Sequence, residues 1–284
     1  MKPFAYSNRL LLSVALLLTC LLACTNEDPT LPVADVALRS TSLGRVLTGP
    51  DGKTLYVFAP DANGQSNCAG NCLTNWPIYY KENPVVGSGM VASDFTTITR
   101  ADGSKQTAYQ GWPLYYFKND VKPGDVVGEN VGNVWFVAKP NYNILIASRQ
   151  LVGMDGKNYT FDMREGTGNS LYLTDGQGRT LYAFINDRRN KNNYTRADLS
   201  NNPTWPIFEL PSGQTAIGEL PSTLNRADFT TTTIHGKTQV TYKGWPLYYF
   251  GGDQGQRGSN KGVSVPRPGV WPVVFKNTPE APVQ

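Results

Sequence analysis

The sequence predicts a mainly β protein made of tandem duplicated β-repeat domains, four β units in two pairs. Three observations lead to this class. The spelling Leu-Tyr-x-Phe-x-x-Asp occurs at Leu55–Asp61, Leu114–Asp120, Leu181–Asp187 and Leu247–Asp253, and self-similarity at a near-constant period marks a repeat architecture. The motif tyrosines Tyr56, Tyr115, Tyr182 and Tyr248 are 59, 67 and 66 residues apart, and Trp76, Trp135, Trp205 and Trp271 follow them by 20, 20, 23 and 23 residues. Finally, 28 Gly and 20 Pro punctuate short β-prone runs, and beyond residue 24 no stretch sustains a helical period.

The first 23 residues are a targeting signal and are excluded from the fold. Lys2 and Arg9 precede the apolar run Leu10–Ala23, which is too short for a stable membrane-spanning helix. The run ends in Leu21-Leu22-Ala23-Cys24, which resembles the lipobox of bacterial lipoproteins and implies acylation of Cys24 as the new N-terminus. Several acyl chains would hold the protein durably on a membrane. Residues 24–36 then read as a lipidated tether: Asn26, Glu27, Asp28, Pro29 and Pro32 make Thr25–Val36 polar and Pro-broken, with a reach of roughly 35 Å at about 3 Å per residue. Thr25 is unlike the aspartate that retains some lipoproteins at an inner membrane, and Asn26-Glu27-Asp28 resembles the acidic tag of surface-exported ones. The expected location is therefore the cell envelope, lipid-anchored at the outer membrane. Lys and Arg number 26 against 22 acids, and losing Lys2 and Arg9 leaves a charge of +2. That charge is too small and scattered for a nucleic-acid partner.

The folded part divides into a first domain at 37–140, a second at 141–279 and a tail at 280–284. In the first unit, Arg45–Thr48 leads through Pro50-Asp51-Gly52-Lys53 into the motif, and in the third, Tyr172–Thr174 leads through Asp175-Gly176-Gln177-Gly178. Units two and four use tighter links, Gln110-Gly111 and Lys243-Gly244. Gly pairs between β-rich runs signal hairpins. The Trp residues open the last strand of each unit, three of the four as Trp-Pro. Gly-Trp-Pro-Leu-Tyr-Tyr-Phe recurs verbatim at 111–117 and 244–250, so the larger period is a pair of units. Residues 141–165 are expected to form a linking hairpin. A single four-bladed closed arrangement, one unit per blade, is the alternative.

On these residues the chain resembles the secreted repeat of unknown function, a family of predicted lipoproteins with a Yx(FWY)xxD motif. The resemblance rests on the four motifs, on Cys68-Ala69-Gly70-Asn71-Cys72 before Trp76-Pro77, on the Gln-x-x-Tyr lead-ins and on Gly124-Asp125 ahead of Trp135. It covers nearly all of residues 43–275. The second half departs from the pattern, with Ala197 and Asn201 read as the counterparts of Cys68 and Cys72. The resemblance implies an envelope lipoprotein of repeated β units and brings no activity.

In a strand, the Tyr and Phe of each motif share one face, while Leu and the variable residue share the other. The bland reading is a strand packed on both sides. The sharper one is a row of Tyr hydroxyls lining a groove, making Tyr56, Asp61, Tyr115, Asp120, Tyr182, Asp187, Tyr248 and Asp253 candidate binding residues. Each Asp lies about 16 Å along an extended strand from its own Tyr, so it is expected to brace the turn at the strand's end. Cys68 and Cys72 read as a disulfide, favoured by an oxidising envelope; metal or redox use is the alternative. His235, the only histidine, is expected in an exposed turn. No Gly-x-Ser-x-Gly context, P-loop or dinucleotide fingerprint is present, and nothing calls for a cofactor or metal. Enzymatic activity stays open, with the balance against it. The favoured function is a non-catalytic binding or surface-organising module whose partner is an envelope protein or a glycan, the latter on exposed Trp and Tyr. The alternative is a cell-surface redox or metal-handling protein.

Overall fold

The computed structural model describes residues 33–283. The signal peptide at 1–23, Cys24 and the tether as far as residue 32 lie outside the described residues. In the first half, β1 (Ala37–Thr41) and β2 (Gly44–Thr48) form a hairpin, and β3 (Tyr56–Phe58) carries the first motif. A short helix, α1 (Asn71–Asn75), precedes a three-stranded antiparallel sheet of β4 (Phe95–Thr99), β5 (Lys105–Tyr109) and β6 (Trp112–Pro113). β7 (Trp135–Val137) returns to pair with β3. In the second half, β8 (Ile144–Val152) lies between β9 (Asn158–Tyr159) and β10 (Asn169–Asp175). β11 (Phe229–Ile234), β12 (Lys237–Tyr242) and β13 (Trp245–Pro246) repeat the earlier three-stranded sheet. The mainly β class and its antiparallel hairpins follow the sequence, and β8 with β9 forms the hairpin read at 141–165.

The tight links close as the Gly pairs foretold. Gln110 and Gly111 have φ of 47° and 79°, Lys243 and Gly244 of 48° and 83°, and two successive positive φ values make the turn whose twist suits a two-residue hairpin. The unit boundaries are another matter. Tyr56 pairs with Val137, from the Trp strand of the second unit, whereas Tyr115 pairs with Ile78, from that of the first. Tyr182 pairs with Val273 and Tyr248 with Ile207 in the same crossed manner. Each motif therefore finds its neighbour in the other unit of its pair. The alternative of four closed blades is corrected by this crossing: the strands form separate two- and three-stranded sheets instead of one blade per unit.

Both faces of each motif strand are packed. Leu55, Val57, Leu114, Leu181 and Leu247 join Ile144, Leu145 and Phe136 in one apolar cluster that draws on both halves of the chain. Tyr56 and Tyr115 point the other way, into a cluster with Trp76, Phe117 and Trp135. There Phe58, Trp135, Trp76 and Phe117 stack in series, with centroid separations of 4.0, 3.8 and 4.3 Å. Phe184, Trp271, Trp205 and Phe250 repeat the stack at 4.5, 3.8 and 4.5 Å. The Trp landmarks are thus core residues, with Trp76 4% and Trp205 2% exposed.

Two boundaries shift. The tether does not run free to residue 36: Val36 is fully buried, Asp35 N–H donates to the Val85 carbonyl at 2.7 Å, and the Asp35 carboxylate meets Lys81 at 2.9 Å. At the other end, Ala281 is buried and its N–H donates to the Lys243 carbonyl at 2.9 Å, so the start of the expected tail is docked.

Truncating a stacked indole removes a large buried surface and leaves a cavity. Trp205→Ala is expected to cost about 3–5 kcal/mol of unfolding free energy. Trp245→Ala, at a half-buried site, should cost roughly 1 kcal/mol. Urea denaturation of both variants followed by far-UV circular dichroism checks the contrast, and equal losses would rule out the stack as the core's centre.

Candidate functional site

Each motif ends by handing its Asp to the other motif of the pair. The Tyr56 hydroxyl donates to Asp120 Oδ2 at 2.7 Å and the Tyr115 hydroxyl to Asp61 Oδ2 at 2.7 Å. Tyr182 donates to Asp253 at 2.6 Å and Tyr248 to Asp187 at 2.7 Å. The tyrosine backbones are paired as well: Tyr56 N–H donates to the Tyr115 carbonyl at 2.8 Å and Tyr115 N–H to the Tyr56 carbonyl at 3.0 Å, with Tyr182 and Tyr248 doing likewise at 2.9 and 3.0 Å. The remaining carboxylate oxygens bind the loop that follows. Asn67 N–H reaches Asp61 Oδ1 at 2.7 Å, and Asn193 N–H reaches Asp187 Oδ1 at 2.7 Å. Val127 N–H donates to Asp120 at 3.1 Å, and Lys261 N–H to Asp253 at 2.9 Å. The acids brace their turns and also tie two units together.

All eight motif residues lie in the interior, from 0% exposed at Tyr56 to 6% at Asp253. The row of hydroxyls lining a groove is therefore corrected: the hydroxyls face carboxylates inside aromatic packing. Burial pushes Asp61 up to about 6 and Asp187 up to about 7, only partly offset by the tyrosine and asparagine donors. Asp120 and Asp253 are raised by the same desolvation. Burial, followed by the adjacent carboxylate, raises the four tyrosines above their ordinary value. Gly128 and Gly262 close the pockets. Their N–H groups donate to the Tyr56 and Tyr182 hydroxyls at 3.2 and 3.3 Å, and a Cβ at either would come within 2.9 Å of a tyrosine ring carbon.

Cys68 and Cys72 form a disulfide, so both sulfurs are bonded to each other and neither is a thiolate ligand in this form. Arg100 donates to the Cys68 carbonyl at 2.7 Å and to Gln106 Oε1 at 2.7 Å. In the second half, counting from the Asp187–Asn193 contact puts Tyr194, not Ala197, in the place of Cys68, while Asn201 stands for Cys72. Asn201 Nδ2 donates to the Tyr194 carbonyl at 2.7 Å, a hydrogen bond where the first half has a covalent bridge. His235 is exposed in a turn, with Nε2 3.1 Å from the Thr195 carbonyl oxygen.

The stretches 37–79, 96–139 and 229–274 match the family model of the secreted repeat of unknown function. The chain carries that repeat three times. The unit around Tyr182 lies outside the three matched stretches, yet with its partner unit it reproduces the crossed Tyr–Asp pair and stacked tryptophans of the first half. No match was found among curated proteins or among solved structures. Among the described residues, no helix is long and apolar enough to cross a membrane.

A second feature had no sequence motif. A cleft of about 680 Å³ opens where turns from both halves meet, lined among others by Gln110, Asn141, Asp175, Arg179, Gln214 and Tyr249. Asp175 is its most connected member. Its Oδ1 accepts N–H bonds from Gln177 and Arg179, both at 2.9 Å, and its Oδ2 takes the Arg179 side chain at 2.6 Å and the Tyr249 hydroxyl at 2.9 Å. The Arg179 guanidinium lies over the Tyr249 ring, 4.5 Å from its centroid. The Asp-Gly turn before the third motif was readable as a hairpin link, but its partners come from loops distant in sequence.

A carboxyl whose folded value is raised above the ordinary 3.8 makes the fold most stable when protonated. That contribution is lost as pH rises through 6 and 7, the values for Asp61 and Asp187. The urea midpoint should therefore rise as pH falls from 8 to 5, a window above the range where the lowered, exposed acids such as Asp102 and Asp198 titrate. Asp187→Asn should flatten the slope. An unchanged slope would show that Asp187 does not titrate with folding. Removing the short disulfide by Cys68→Ser with Cys72→Ser should cost about 2 kcal/mol by loop-closure entropy and leave the fold intact, as measured by the same denaturation.

Proposed function

We propose that the protein is a lipid-anchored module of the cell envelope that binds a ligand without transforming it. The observation that carries this reading is the division of labour among its polar groups. The repeated Tyr and Asp side chains are consumed by folding, while the cleft at the meeting of the two halves presents amides and the Arg179 guanidinium to solvent. Binding sites are commonly concave and hold a few convergent polar groups. The lipobox-like Leu21-Leu22-Ala23-Cys24, the tether and the membership of a secreted repeat support anchoring through Cys24 at the outer membrane. The acidic Asn26-Glu27-Asp28 favours exposure at the outer face. A ligand-binding role also suits the fold, since a cleft between packed halves is held by a rigid scaffold and not by a free loop.

Anchoring is tested directly in the native host. The wild-type protein should enter the detergent phase on Triton X-114 partition and take up labelled palmitate. Cys24→Ser should stay in the aqueous phase and remain unlabelled. A wild-type protein that partitions into water would overturn the anchor, whatever the fate of the cleft.

A further inference from the structure

We infer that the cleft at the junction of the halves takes a neutral, hydroxyl-rich saccharide chain. This inference rests on the binding-module reading and names the ligand class for its site. The first step is an asymmetry inside the duplication. The turn closed by Asp175 N–H to the Arg179 carbonyl at 2.9 Å has a counterpart in the first half, where Gly49 N–H donates to the Lys53 carbonyl at 2.9 Å. Gly49 thus stands where Asp175 stands, Lys53 for Arg179 and Tyr116 for Tyr249. A Cβ at Gly49 would lie 2.1 Å from the Tyr116 hydroxyl oxygen, so the first half fills with its tyrosine the space that the second half gives to a carboxylate. The scaffold is shared, and the Asp–Arg–Tyr cluster belongs to one half only.

The charge state of the lining selects the class. Asp175 is neutralised by Arg179 at 2.6 Å, and Glu209, also on the wall, by Lys237 at 2.9 Å. Arg257 is held differently. It donates to the Gln110 carbonyl at 2.8 Å and the Gln177 carbonyl at 2.5 Å, and it lies over Trp112 with 4.9 Å to the ring centroid. Both bonds come from Nη1 and tie the Gln110 turn to the Gln177 turn beneath the cleft, while its Nε and Nη2 are buried and have no partner among the described residues. The wall is amide-rich: Gln110 donates to Asn141 at 3.2 Å, Gln214 accepts from Asn143 Nδ2 at 2.9 Å and keeps an NH2 with no partner among the described residues, and Gln177, like Gln214, is exposed. A side-chain amide presents an acceptor and two donors in one plane, which suits adjacent hydroxyls that both give and accept.

Extent and backbone point the same way. A neighbouring groove of about 320 Å³ shares Arg179, Glu209, Tyr249 and Gly255 with the cleft, so the combined recess has room for several linked rings. A peptide recognised by strand addition needs an unpaired strand edge. The walls here are turns and loops, around Asn141, from Asp175 to Arg179 and from Glu209 to Gln214. An indole platform is not the means, because Trp76, Trp112, Trp205 and Trp271 are all buried and the half-buried Trp245 does not line the cleft. Recognition would run through hydrogen bonds.

The test uses the intact protein purified in detergent, with cello-, xylo- and chito-oligosaccharides as neutral probes and alginate oligomers as an acidic one, followed by calorimetry. Saturable binding of a neutral probe is expected, weakened about tenfold or more by Gln177→Ala with Gln214→Ala. Gln177→Ala alone, at an exposed side chain with no hydrogen-bond partner among the described residues, should melt at the wild-type temperature and still weaken binding, whereas Gln214 also accepts from the buried Asn143 Nδ2 at 2.9 Å, so the double variant should melt lower. Binding of alginate alone, binding that ignores the double variant, or no binding would each overturn the inference. Reducing ends are assayed in the same mixtures. Their release would instead overturn the non-catalytic reading while leaving the site in place.

Discussion

The crossed Tyr–Asp hydrogen bond is the constraint on which the rest of this protein depends. A tyrosine hydroxyl buried among indoles must find an acceptor, and a buried carboxylate must find donors, because an unmade bond at either end costs about 1–3 kcal/mol. Asp120 serves Tyr56 and Asp61 serves Tyr115, so neither unit can satisfy its own motif. Each unit is an incomplete half, and the smallest arrangement that closes its polar accounts is a pair. The same reasoning holds for Tyr182 with Asp253 and Tyr248 with Asp187. The repeat is thus a period of interlocking, in contrast to solenoid repeats that stack as complete units.

The aromatic stacks follow from that interlock. Bringing Tyr56 beside Tyr115 places the trailing strands face to face, and Trp76 and Trp135 meet at 3.8 Å with planes 4° apart. Each indole then receives the edge of its own unit's tyrosine, Tyr56 on Trp76 at 5.3 Å and Tyr115 on Trp135 at 5.1 Å. Such edge contacts add about 0.5–1.5 kcal/mol beyond the area buried. Room for them depends on Gly128 and Gly262, where any side chain would strike Tyr and Trp ring atoms together. The disulfide is an addition to this core. Its place in the second half is taken by the Asn201 amide on the Tyr194 carbonyl, and the indole pair there keeps the same 3.8 Å separation.

Much of this was legible in the chain. The motif strands, the Gly-turned hairpins and the pairing of units show in spelling and spacing because they depend on local backbone geometry and on residue type. The partner of each Asp was not legible. Extended geometry excludes its own Tyr, but distance along a strand carries no information about which distant hydroxyl arrives. Counting back from Trp205 misplaced the Cys68 counterpart, since the second-half loop between Asp187 and Trp205 is three residues longer than that between Asp61 and Trp76. The polar fixings that mark both ends of that loop are visible only once it is folded. The cleft was hidden for a similar reason. Asp175, Arg179, Glu209 and Gln214 stand on separate turns with no shared spelling, and only packing gathers them.

Duplication explains why a chain so occupied with its own closure can also carry a site. The pair of units is stabilised by its interior, and that interior repeats the crossed Tyr–Asp bonds and the central indole pair, 3.8 Å apart in both halves. Turns on the outside of each pair bear little of that load, so a change there is tolerated in one copy while the other keeps its form. At the turn before the first motif, glycine lets Tyr116 press against the backbone. At the turn before the third, Asp175 accepts hydrogen bonds from Tyr249 and Arg179 and so orients both on the cleft wall. A buried, fully hydrogen-bonded carboxylate in a surface turn costs desolvation that Gly49 avoids. The second half bears that cost at the cleft, where a fixed Tyr–Asp–Arg cluster gives the recess a defined shape, while the first half, relieved of it, contributes the Gln110 turn.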